Sequence, residues 1–220
     1  MAHAIYVFDG YGTLFDVHAA VRRHAEAVGP EGQLLSALWR AKQLEYSWML
    51  TMMGRYRDFW ALTEEALDYA FARVPEANRE SRAALLDAYW KCDVFPEVPE
   101  VLKQLKMRGA KIVILSNGTT AMLTAACRSS GIDDAVDEIV SVDEIKVYKP
   151  DPRVYDLITT RHRCFPEAVS FQSSNRWDAA GATAFGFRAV WVNRNNLPEE
   201  YNDFRPAAIL PSLDGLLTLG

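Results

Sequence analysis

The sequence predicts an α/β fold, a doubly wound, Rossmann-like parallel sheet with an inserted all-helical cap. Three observations predict it. Short aliphatic runs with little polar alternation recur along the chain, as expected for strands that are covered on both faces. From Glu97 onward these runs alternate with helical patterns, which favours right-handed strand–helix–strand units in one sheet. Between the first two runs, residues 16–92 show helical patterns and no convincing strand, over a stretch longer than ordinary loops.

The predicted strands are four runs of β-branched, aromatic and aliphatic residues, at Ile5–Phe8, 111–115, 169–171 and 189–192. Helical spacing of apolar residues predicts helices around 101–105, at 121–130 and at 152–160. Gly109 and Gly131 stand where the first two of these helices should end, because glycine is favoured just past a helix. Pro152 suits the first position of the third, where its missing N–H has no partner to lose.

The inserted segment is predicted to contain several helices. We expect Asp16 to cap a helix that runs through His18, Ala19 and Arg22 and that Gly29-Pro30 ends. Helical spacing then predicts two longer helices, one containing Leu35, Leu38, Trp39, Lys42 and Tyr46, and one containing Phe59, Leu62, Ala66 and Ala70.

Two prolines stiffen residues 95–99, which we interpret as the linker returning from the helical segment. The predicted organisation is therefore a Rossmann-like catalytic core, residues 1–15 and 93–220, with a helical cap, residues 16–92, inserted after the first strand. The cap is expected to lie over the carboxyl edge of the sheet.

Composition excludes several classes of protein. The 220 residues carry a formal net charge of −5, and nucleic-acid or anionic-membrane binding is not expected because it needs clustered Lys and Arg. No run approaches the roughly 20 apolar residues of a membrane span, and the short apolar run before Asp9 is no signal-peptide core. Cys92, Cys127 and Cys164 form no Cys-x-x-Cys pair and cannot all be bridged, so we expect a reducing compartment, the cytoplasm.

Groups of polar residues follow the apolar runs, at the points where predicted strands end. The first run ends in Asp9-Gly10-Tyr11-Gly12-Thr13 and the second in Ser116-Asn117-Gly118; Lys149-Pro150 and the segment from Ser173 to Asp178 come later. Ligands of open α/β sheets bind outside the carboxyl ends of the strands, so these groups are expected to meet there. A carboxylate directly after a buried strand and before two glycines can point into such a cleft.

Other sites are not supported. The glycine pattern of a dinucleotide-binding loop fails because Phe15 occupies the third glycine position, and neither a P-loop nor a G-x-S-x-G motif occurs. The four histidines, His3 among them, show no metal-ligand spacing and are expected on the surface or in helices. No cofactor is expected.

The four ordered motifs, Asp9-x-Tyr11-Gly12-Thr13, Ser116-Asn117-Gly118, Lys149-Pro150 and the segment ending in Asp178, resemble those of the haloacid dehalogenase superfamily. Its phosphatases carry an acid two residues after the nucleophile and an acidic fourth motif that helps hold magnesium. Here the position two residues after Asp9 is Tyr11, and Ser173-Ser174-Asn175 adds no charge to the fourth motif. Phosphoryl transfer normally needs a divalent ion, whereas a halide leaves carbon as a stable anion. A metal-free site is therefore expected.

The sequence resembles more closely the L-2-haloacid dehalogenases (type II). Residues 37–40, Ala-Leu-Trp-Arg, and residues 43–46, Gln-Leu-Glu-Tyr, are similar to the cap-helix signature of that family. The resemblance implies that Asp9 attacks C2 of an L-2-haloalkanoate, inverts that centre and forms an ester. Water then hydrolyses the ester to a D-2-hydroxy acid. Asp178 is implied as the base that activates this water.

The resemblance also assigns supporting roles. Lys149, Ser173 and Asn175 are implied to support Asp178, and Thr13 and Tyr155 to orient Asp9 and Lys149. The substrate carboxylate is implied to bind Ser116 and the backbone N–H groups of Gly10, Tyr11 and Asn117. The halide is implied to lie between Arg40 and Asn117 beside Phe59, in an apolar pocket walled by Tyr11, Leu44 and Trp177.

Two residues depart from the usual pattern of that family. Gly10 follows the nucleophile where relatives often have a side chain, which is expected to loosen the loop. Gln172 places an amide where a small apolar residue is usual, and we expect this amide to lie near the site. Two alternatives stay open: a magnesium-dependent small-molecule phosphatase and a non-catalytic relative that binds a small carboxylate.

The aromatic content of the helical segment bears on assembly. Trp39, Trp48, Phe59 and Trp60 predict either an isologous homodimer, as the resemblance implies, or an interface between cap and core within one chain.

Overall fold

The computed structural model describes residues 5–219 and contains a six-stranded sheet in the order β3-β2-β1-β4-β5-β6, in which every neighbouring pair is parallel. The strands are β1 Ile5–Phe8, β2 Lys111–Ser116, β3 Glu138–Ser141, β4 Val169–Ser173, β5 Arg188–Val192 and β6 Ala208–Leu210. The α/β fold class is thereby confirmed. The ends of the predicted core, 1–4 and 220, and with them His3, lie outside the described residues.

Nine α-helices occur in the described part of the chain. They are α1 Ala19–Arg23, α2 Ala25–Val28, α3 Gly32–Met52, α4 Phe59–Arg73, α5 Arg82–Trp90, α6 Val98–Met107, α7 Thr120–Ser129, α8 Pro152–His162 and α9 Arg176–Phe185. None of the helices within residues 5–219 has both the length and the apolar character needed to cross a membrane. The first five lie between β1 and β2, where the sequence predicts the helical insertion.

The four predicted strands are present, and two more accompany them. β3 and β6 have four and three residues, and β6 is only partly buried at the edge of the sheet. Such short edge strands contain too few positions to show a periodic pattern. The interior strands are strongly apolar: Val7, Phe8, Val113, Ile114 and Phe171 are fully buried.

The start of the helical segment differs from the prediction. Asp16 does not cap the first helix; its Oδ1 accepts a hydrogen bond from the backbone N–H of His18, in a turn before α1. At His24 the backbone leaves the helical region, with φ −110° and ψ 25°, so the predicted single helix is divided into α1 and α2. Gly29, with a positive φ of 96°, ends α2 as expected.

The chain leaves and re-enters the sheet region at one place. The N–H of Asp16 donates to the carbonyl of Asp93 (2.8 Å), and the N–H of Phe95 donates to the carbonyl of Leu14 (3.0 Å). The two connecting segments are therefore hydrogen-bonded side by side, directly after the loop that follows β1. Within the insertion, α3 and α4 pack together, and the indole N–H of Trp39 on α3 donates to the carbonyl of Thr63 on α4 (2.8 Å).

Candidate active site

The central strand delivers Asp9 to the middle of the carboxyl edge. β1 lies between β2 and β4, with Phe8 in register with Ile114 and Gln172. The residues that follow or end these strands, Asp9, Ser116 and Ser173, therefore lie at the same edge. The N–H of Asp9 still pairs with the carbonyl of Gln172 (2.9 Å), which fixes the backbone of this residue at the end of the ladder.

The loop after Asp9 turns sharply over the sheet edge. The carbonyl of Gly10 accepts hydrogen bonds from the N–H groups of Thr13, Leu14 and Phe15 at 2.9–3.2 Å. Gly12 has a φ of +95°, which glycine adopts at little cost. The loop is closed on the Gly10 carbonyl, and the expectation that a glycine here loosens it relative to a residue with a side chain stays a prediction.

The carboxylate of Asp9 is nearly buried, and donors surround it unevenly. Its Oδ2 accepts hydrogen bonds from Asn175 Nδ2 (2.7 Å), Thr13 Oγ1 (3.0 Å) and Ser173 Oγ (3.3 Å). Its Oδ1 accepts one, from the Lys149 ammonium (3.1 Å). One oxygen is thus held by three neutral donors, and the other retains a free lone pair beside a cation.

Lys149 bridges two buried carboxylates. Its Nζ lies 3.1 Å from Asp9 Oδ1 and 2.8 Å from Asp178 Oδ2, and its side chain is 1% exposed. Burial alone would lower the pKa of Lys149, but the charges of Asp178 and Asp9 outweigh it and raise the pKa above its ordinary value. The ammonium therefore stays charged and offsets the repulsion between the two carboxylates. The backbone N–H of Lys149 donates to Asn117 Oδ1 (3.0 Å).

Asp178 lies in the first turn of α9 and is fully buried. Burial raises its pKa to about 6, against the effect of the Lys149 ammonium, which lowers it. The phenol of Tyr155 on α8 donates to Asp178 Oδ1 (2.7 Å) and not to Lys149, the residue that it was expected to orient. Burial and the charge of Asp178 raise the pKa of Tyr155 well above its ordinary value, so it remains a donor. Gly181 makes this approach possible, because a Cβ there would lie 2.5 Å from the Tyr155 hydroxyl.

The donor set does not suit magnesium. The Asn175 amide donates both to Asp9 Oδ2 and to the carbonyl of Tyr11 (3.2 Å), two oxygens that would otherwise be available to a cation. The remaining pair of carboxylates, Asp9 and Asp178, is bridged by Lys149. Magnesium requires several oxygen ligands in octahedral array, and here N–H donors already point at those oxygens.

A small cavity adjoins Asp9. Its volume is about 10 Å³, room for about one water molecule. It is lined by Asp9, Tyr11, Arg40, Leu44, Phe59, Ser116, Asn117, Asn175 and Trp177. Residues predicted from five separate stretches of sequence therefore surround one space, which the sheet edge closes on one side and α3 and α4 close on the other.

Arg40 reaches this cavity from α3. Its Nη2 donates to the carbonyl of Tyr11 (3.0 Å), and its Nη1 lies 3.5 Å from Gln43 Oε1. Within residues 5–219 it has no carboxylate partner in an ion pair, so its positive charge is not neutralised by direct contact. A charged guanidinium beside the nucleophile is suited to bind an anion.

Ser116 is the last residue of β2 and Asn117 follows it; both line the same cavity. Asn117 Oδ1 accepts from the Lys149 backbone, which leaves the amide Nδ2 as a donor. Ser116 Oγ accepts from the N–H of Gly118 (3.1 Å) and can still donate its own proton. The N–H groups of Gly10, Tyr11 and Asn117 donate in none of the turn or loop hydrogen bonds of the described chain. Several donors therefore remain free near Asp9.

A second cavity, of about 350 Å³, lies beside the first. Both are lined by Arg40, Leu44 and Asn175, and the larger one extends to His18, Arg22 and Arg194. Arg22 pairs with Asp16 and Arg194 with Glu97, so Arg40 is again the cation without a carboxylate partner among those described.

The family model of haloacid dehalogenase-like hydrolases matches residues 3–186. The chain belongs to the haloacid dehalogenase-like hydrolase family.

Relatives of this haloacid dehalogenase-like hydrolase are similar over nearly the whole chain. The chain is 50% identical over 199 residues to (S)-2-haloacid dehalogenase 1 of Pseudomonas sp. (strain CBS-3), covering 89% of this chain and 87% of that protein. It matches the crystal structure of a dehalogenase with a TM-score of 0.96 and 43% identity, over 100% of this chain and 97% of that one.

A third relative is the structure of the L-2-haloacid dehalogenase from Xanthobacter autotrophicus with chloropropionic acid covalently bound. It has a TM-score of 0.88 and 34% identity, and the match covers 99% of this chain and 98% of that one.

In this haloacid dehalogenase-like hydrolase, Gln172 lies away from the site, contrary to the expectation. Its side chain is buried on the same face of β4 as Ser170, to whose hydroxyl it donates (2.6 Å), while Ser173 faces Asp9. Alternation along the strand explains the difference, since successive side chains point to opposite faces of the sheet.

Tyr89 and Trp48, which the sequence did not assign to the site, support the pocket on the side away from the substrate. Tyr89 on α5 stacks on Tyr11, with ring centroids 5.3 Å apart, and its hydroxyl donates to Gln43. Trp48 on α3 packs edge-on against Trp177 at 5.4 Å. Apolar spacing predicts only that such residues are buried. It does not show that Tyr89 packs against Tyr11, which lies 78 positions away in the sequence.

Proposed function

We propose that this enzyme hydrolyses L-2-haloalkanoic acids to D-2-hydroxy acids, with inversion at C2, through an ester at Asp9. One observation carries the proposal: Asp9 and Asp178, two buried carboxylates, share the ammonium of Lys149 at 3.1 and 2.8 Å. This arrangement supplies a nucleophile and a base without a metal ion. The named activities of the relatives, (S)-2-haloacid dehalogenases, support the same assignment.

The first step is displacement of halide by Asp9. Oδ1 is the attacking oxygen, because three donors already occupy Oδ2. It attacks C2 from the side opposite the halogen. The Oδ1–C2 bond forms as the carbon–halogen bond breaks, and the halide leaves with the bonding electron pair. Since the nucleophile is buried, little water must be removed from it before attack. Backside attack inverts the configuration at C2.

The anionic ends of the substrate are matched to the free donors. We assign the carboxylate to Ser116 and to the N–H groups of Gly10, Tyr11 and Asn117. We assign the departing halide to Arg40 and the amide of Asn117, beside the ring of Phe59. Donors placed where negative charge develops stabilise the transition state more than they stabilise the bound substrate with its neutral carbon–halogen bond. They therefore lower the barrier. Tyr11, Leu44 and Trp177 enclose the alkyl group.

The second step is hydrolysis of the ester. Asp178 takes a proton from water, and the resulting hydroxide attacks Cγ of Asp9. The negative charge then develops on Oδ2, where Asn175, Thr13 and Ser173 already donate hydrogen bonds. The tetrahedral intermediate collapses by breaking the Cγ–Oδ1 bond, and the proton on Asp178 passes to the leaving alkoxide. Asp9 is left as the acid and releases the second water proton to solvent, which restores its carboxylate. The oxygen from water remains in the Asp9 carboxylate.

A base with a pKa near 6 suits this task, since it is ionised at neutral pH and still accepts a proton readily. Tyr155 and Lys149 hold its two oxygens, so its orientation is fixed. We propose that neither step uses a divalent ion, because the Asn175 amide and the Lys149 ammonium occupy the oxygens that such an ion would need.

Substrate entry requires a movement of the pocket wall. The cavity at Asp9 holds about one water, too little space for a haloacid. We propose that substrate reaches it from the neighbouring 350 Å³ cavity past Arg40 and Leu44, which line both.

The test is halide release from L-2-chloropropionate with a chelator present, with the D enantiomer and p-nitrophenyl phosphate as comparison substrates. The wild type is expected to release chloride from the L acid alone and to leave the phosphate ester intact. Asp9→Asn should lose about 10⁴-fold or more of the activity, because an amide is a poor nucleophile. A requirement for magnesium, or phosphatase activity that exceeds halide release, would contradict the proposal.

The division into two structural units is likewise proposed, with residues 16–92 as a cap on a core of residues 1–15 and 93–220. The hydrogen bonds that join Asp16 to Asp93 and Leu14 to Phe95 support this boundary. Deletion of 16–92 with a short glycine linker should leave a folded but inactive core, which circular dichroism and a halide assay would detect.

We further propose a homodimer in the cytoplasm. Trp39 and Phe59 are buried within the chain and cannot form an interface, but Met49, Met52 and Met53 are exposed together at the end of α3. Size-exclusion chromatography with light scattering tests the dimer; Met52→Glu should dissociate it, and a wild-type monomer at all concentrations would refute it. The free thiols of Cys92, Cys127 and Cys164 support the reducing compartment.

A further inference from the structure

Arg194 follows β5 and joins three segments that form the site. Its guanidinium donates to the carbonyl of Thr13 (3.0 Å) and more weakly to that of Gly12 (3.4 Å) in the loop after Asp9. It also donates to the hydroxyl of Ser174 (2.5 Å), next to Asn175. Its partner in the third segment is Glu97 Oε1 (2.7 Å), in the linker that returns from the helical segment.

We propose that Arg194 is a positioning residue for the attack by Asp9, an inference that rests on the proposed function. Arg194 does not touch Asp9. It acts through the two segments whose side chains hold Asp9 Oδ2. In this way it fixes the direction in which the attacking oxygen, Oδ1, points.

The connection to Asp9 runs through Thr13 and Ser174. Thr13 Oγ1 donates to Asp9 Oδ2 (3.0 Å) and accepts from the N–H of Ser174 (2.8 Å). Asn175, the next residue, donates to the same Asp9 oxygen (2.7 Å). Arg194 binds the carbonyl of Thr13 and the side chain of Ser174, so it holds both donor-bearing segments at one separation.

The contacts require an arginine. The guanidinium offers five N–H donors in a planar fork, whereas a lysine ammonium is a compact charge on a flexible stem. Here Nη2 reaches Thr13 and Glu97, Nη1 reaches Ser174 and Gly12, and Nε also reaches Glu97 (3.1 Å). The flat face of the group lies 3.8 Å from the ring centroid of Phe95, so the linker is held by stacking as well as by charge.

Two simpler roles compete with positioning. Arg194 and Glu97 form a largely buried ion pair, with side chains 15% and 13% exposed, which would by itself support the fold. Arg194 also lines the 350 Å³ cavity, where a cation could attract an anionic substrate. A purely structural role changes the amount of folded enzyme, an attracting role changes substrate binding, and positioning changes the rate constant of the bond-breaking step.

The experiment compares Arg194→Met, Arg194→Lys and the double variant Arg194→Met/Glu97→Gln with the wild type. The double variant removes the unpaired carboxylate that the single methionine variant leaves, so we expect it to stay folded. Arg161→Met is the matched control, because Arg161 also pairs with carboxylates, Glu138 and Glu144, but lines neither cavity at the site. Thermal unfolding is measured for each variant.

The decisive measurement is the first-order rate constant of bromide release from L-2-bromopropionate with enzyme in excess, at several enzyme concentrations. Loss of folded molecules leaves this constant unchanged at saturation, and weaker binding shifts only the enzyme concentration at half-saturation. Misplacement of the nucleophile lowers the saturating constant itself.

We expect the saturating constant to fall about tenfold or more in both methionine variants, less in Arg194→Lys, and not in Arg161→Met. The double variant should unfold at nearly the wild-type temperature and still be slow. The inference is overturned if the double variant releases bromide at the wild-type constant, or if only half-saturation shifts. Absence of bromide release by the wild type would instead refute the proposed function.

Discussion

The sheet side and the helical side of the site differ in how firmly their groups are held. On the sheet side, Asp9 and Asp178 are buried, and both oxygens of each carboxylate accept hydrogen bonds from fixed neighbours. On the helical side, Arg40 has one short hydrogen bond, to the Tyr11 carbonyl, and a longer approach to Gln43. Leu44 there contributes only apolar surface. We infer from this contrast that the sheet side holds the nucleophile and the base in place, whereas the helical side supplies a halide contact, Arg40, and an apolar wall, Leu44, that are held less firmly.

The largest effect is expected on the sheet side. Asp178→Asn should lower ester hydrolysis by about 10³-fold, because general-base catalysis contributes about 10²–10⁴-fold. Alkylation of Asp9 should continue, so the ester should accumulate after addition of L-2-chloropropionate. Intact-protein mass spectrometry would detect the added mass, and Asp9→Asn should show none. Unchanged turnover in Asp178→Asn would place the base elsewhere.

The pH dependence tests the same group without mutation. Asp178 must be ionised to accept a proton from water, and burial raises its pKa to about 6. Activity should therefore be constant at neutral pH and fall as the pH decreases through about 6, approaching tenfold per pH unit below it.

A stopped assay of halide release at constant ionic strength measures this profile, with preincubation at each pH followed by assay at pH 7.5 as the control for unfolding. Full activity at pH 4.5 would contradict the role of Asp178.

A change on the helical side should alter selectivity instead. Leu44→Ala removes part of the wall between the two cavities and leaves more space for the alkyl group. The value of kcat/KM for L-2-chlorobutyrate relative to L-2-chloropropionate should therefore rise by about tenfold, the scale of one methylene in an apolar pocket. The saturating rate on chloropropionate should change far less than in Asp178→Asn. An unchanged ratio would show that Leu44 does not limit the space for the alkyl group.

The smallest effect is expected in the loop directly after Asp9. A Cβ on Gly10 would lie 3.0 Å from Ser116 Oγ and 3.2 Å from Leu123 Cδ2, tight contacts that small shifts of side chains can relieve. Gly10→Ala should therefore displace the Ser116 hydroxyl slightly and raise KM about threefold, with kcat nearly unchanged. Initial-rate kinetics on L-2-chloropropionate measure both constants, and a loss confined to kcat would contradict this account of Gly10.

Sequence predicted much of the fold because the interior strands are continuous apolar runs, as in β1 and β2. It did not predict β6, whose three residues show no pattern, nor the break at His24, which depends on local backbone geometry. It proposed Asp9, Lys149 and Asp178 as one site because each follows an apolar run or stands in an ordered motif. Arg194 was not proposed, although it too follows a strand, since a lone arginine after a strand carries no chemical signature.

The order of the motifs and the residue types in them are properties of the sequence alone. Neither Tyr11 nor Asn175 carries a carboxylate. These identities determined which chemistry the chain can support. Only the tertiary structure decided that Lys149 touches both carboxylates, that Asn175 binds Asp9 and the Tyr11 carbonyl together, and that Arg194 ties three segments. Such contacts join residues far apart in the chain, and their distances depend on how strands and helices pack, which no local pattern encodes.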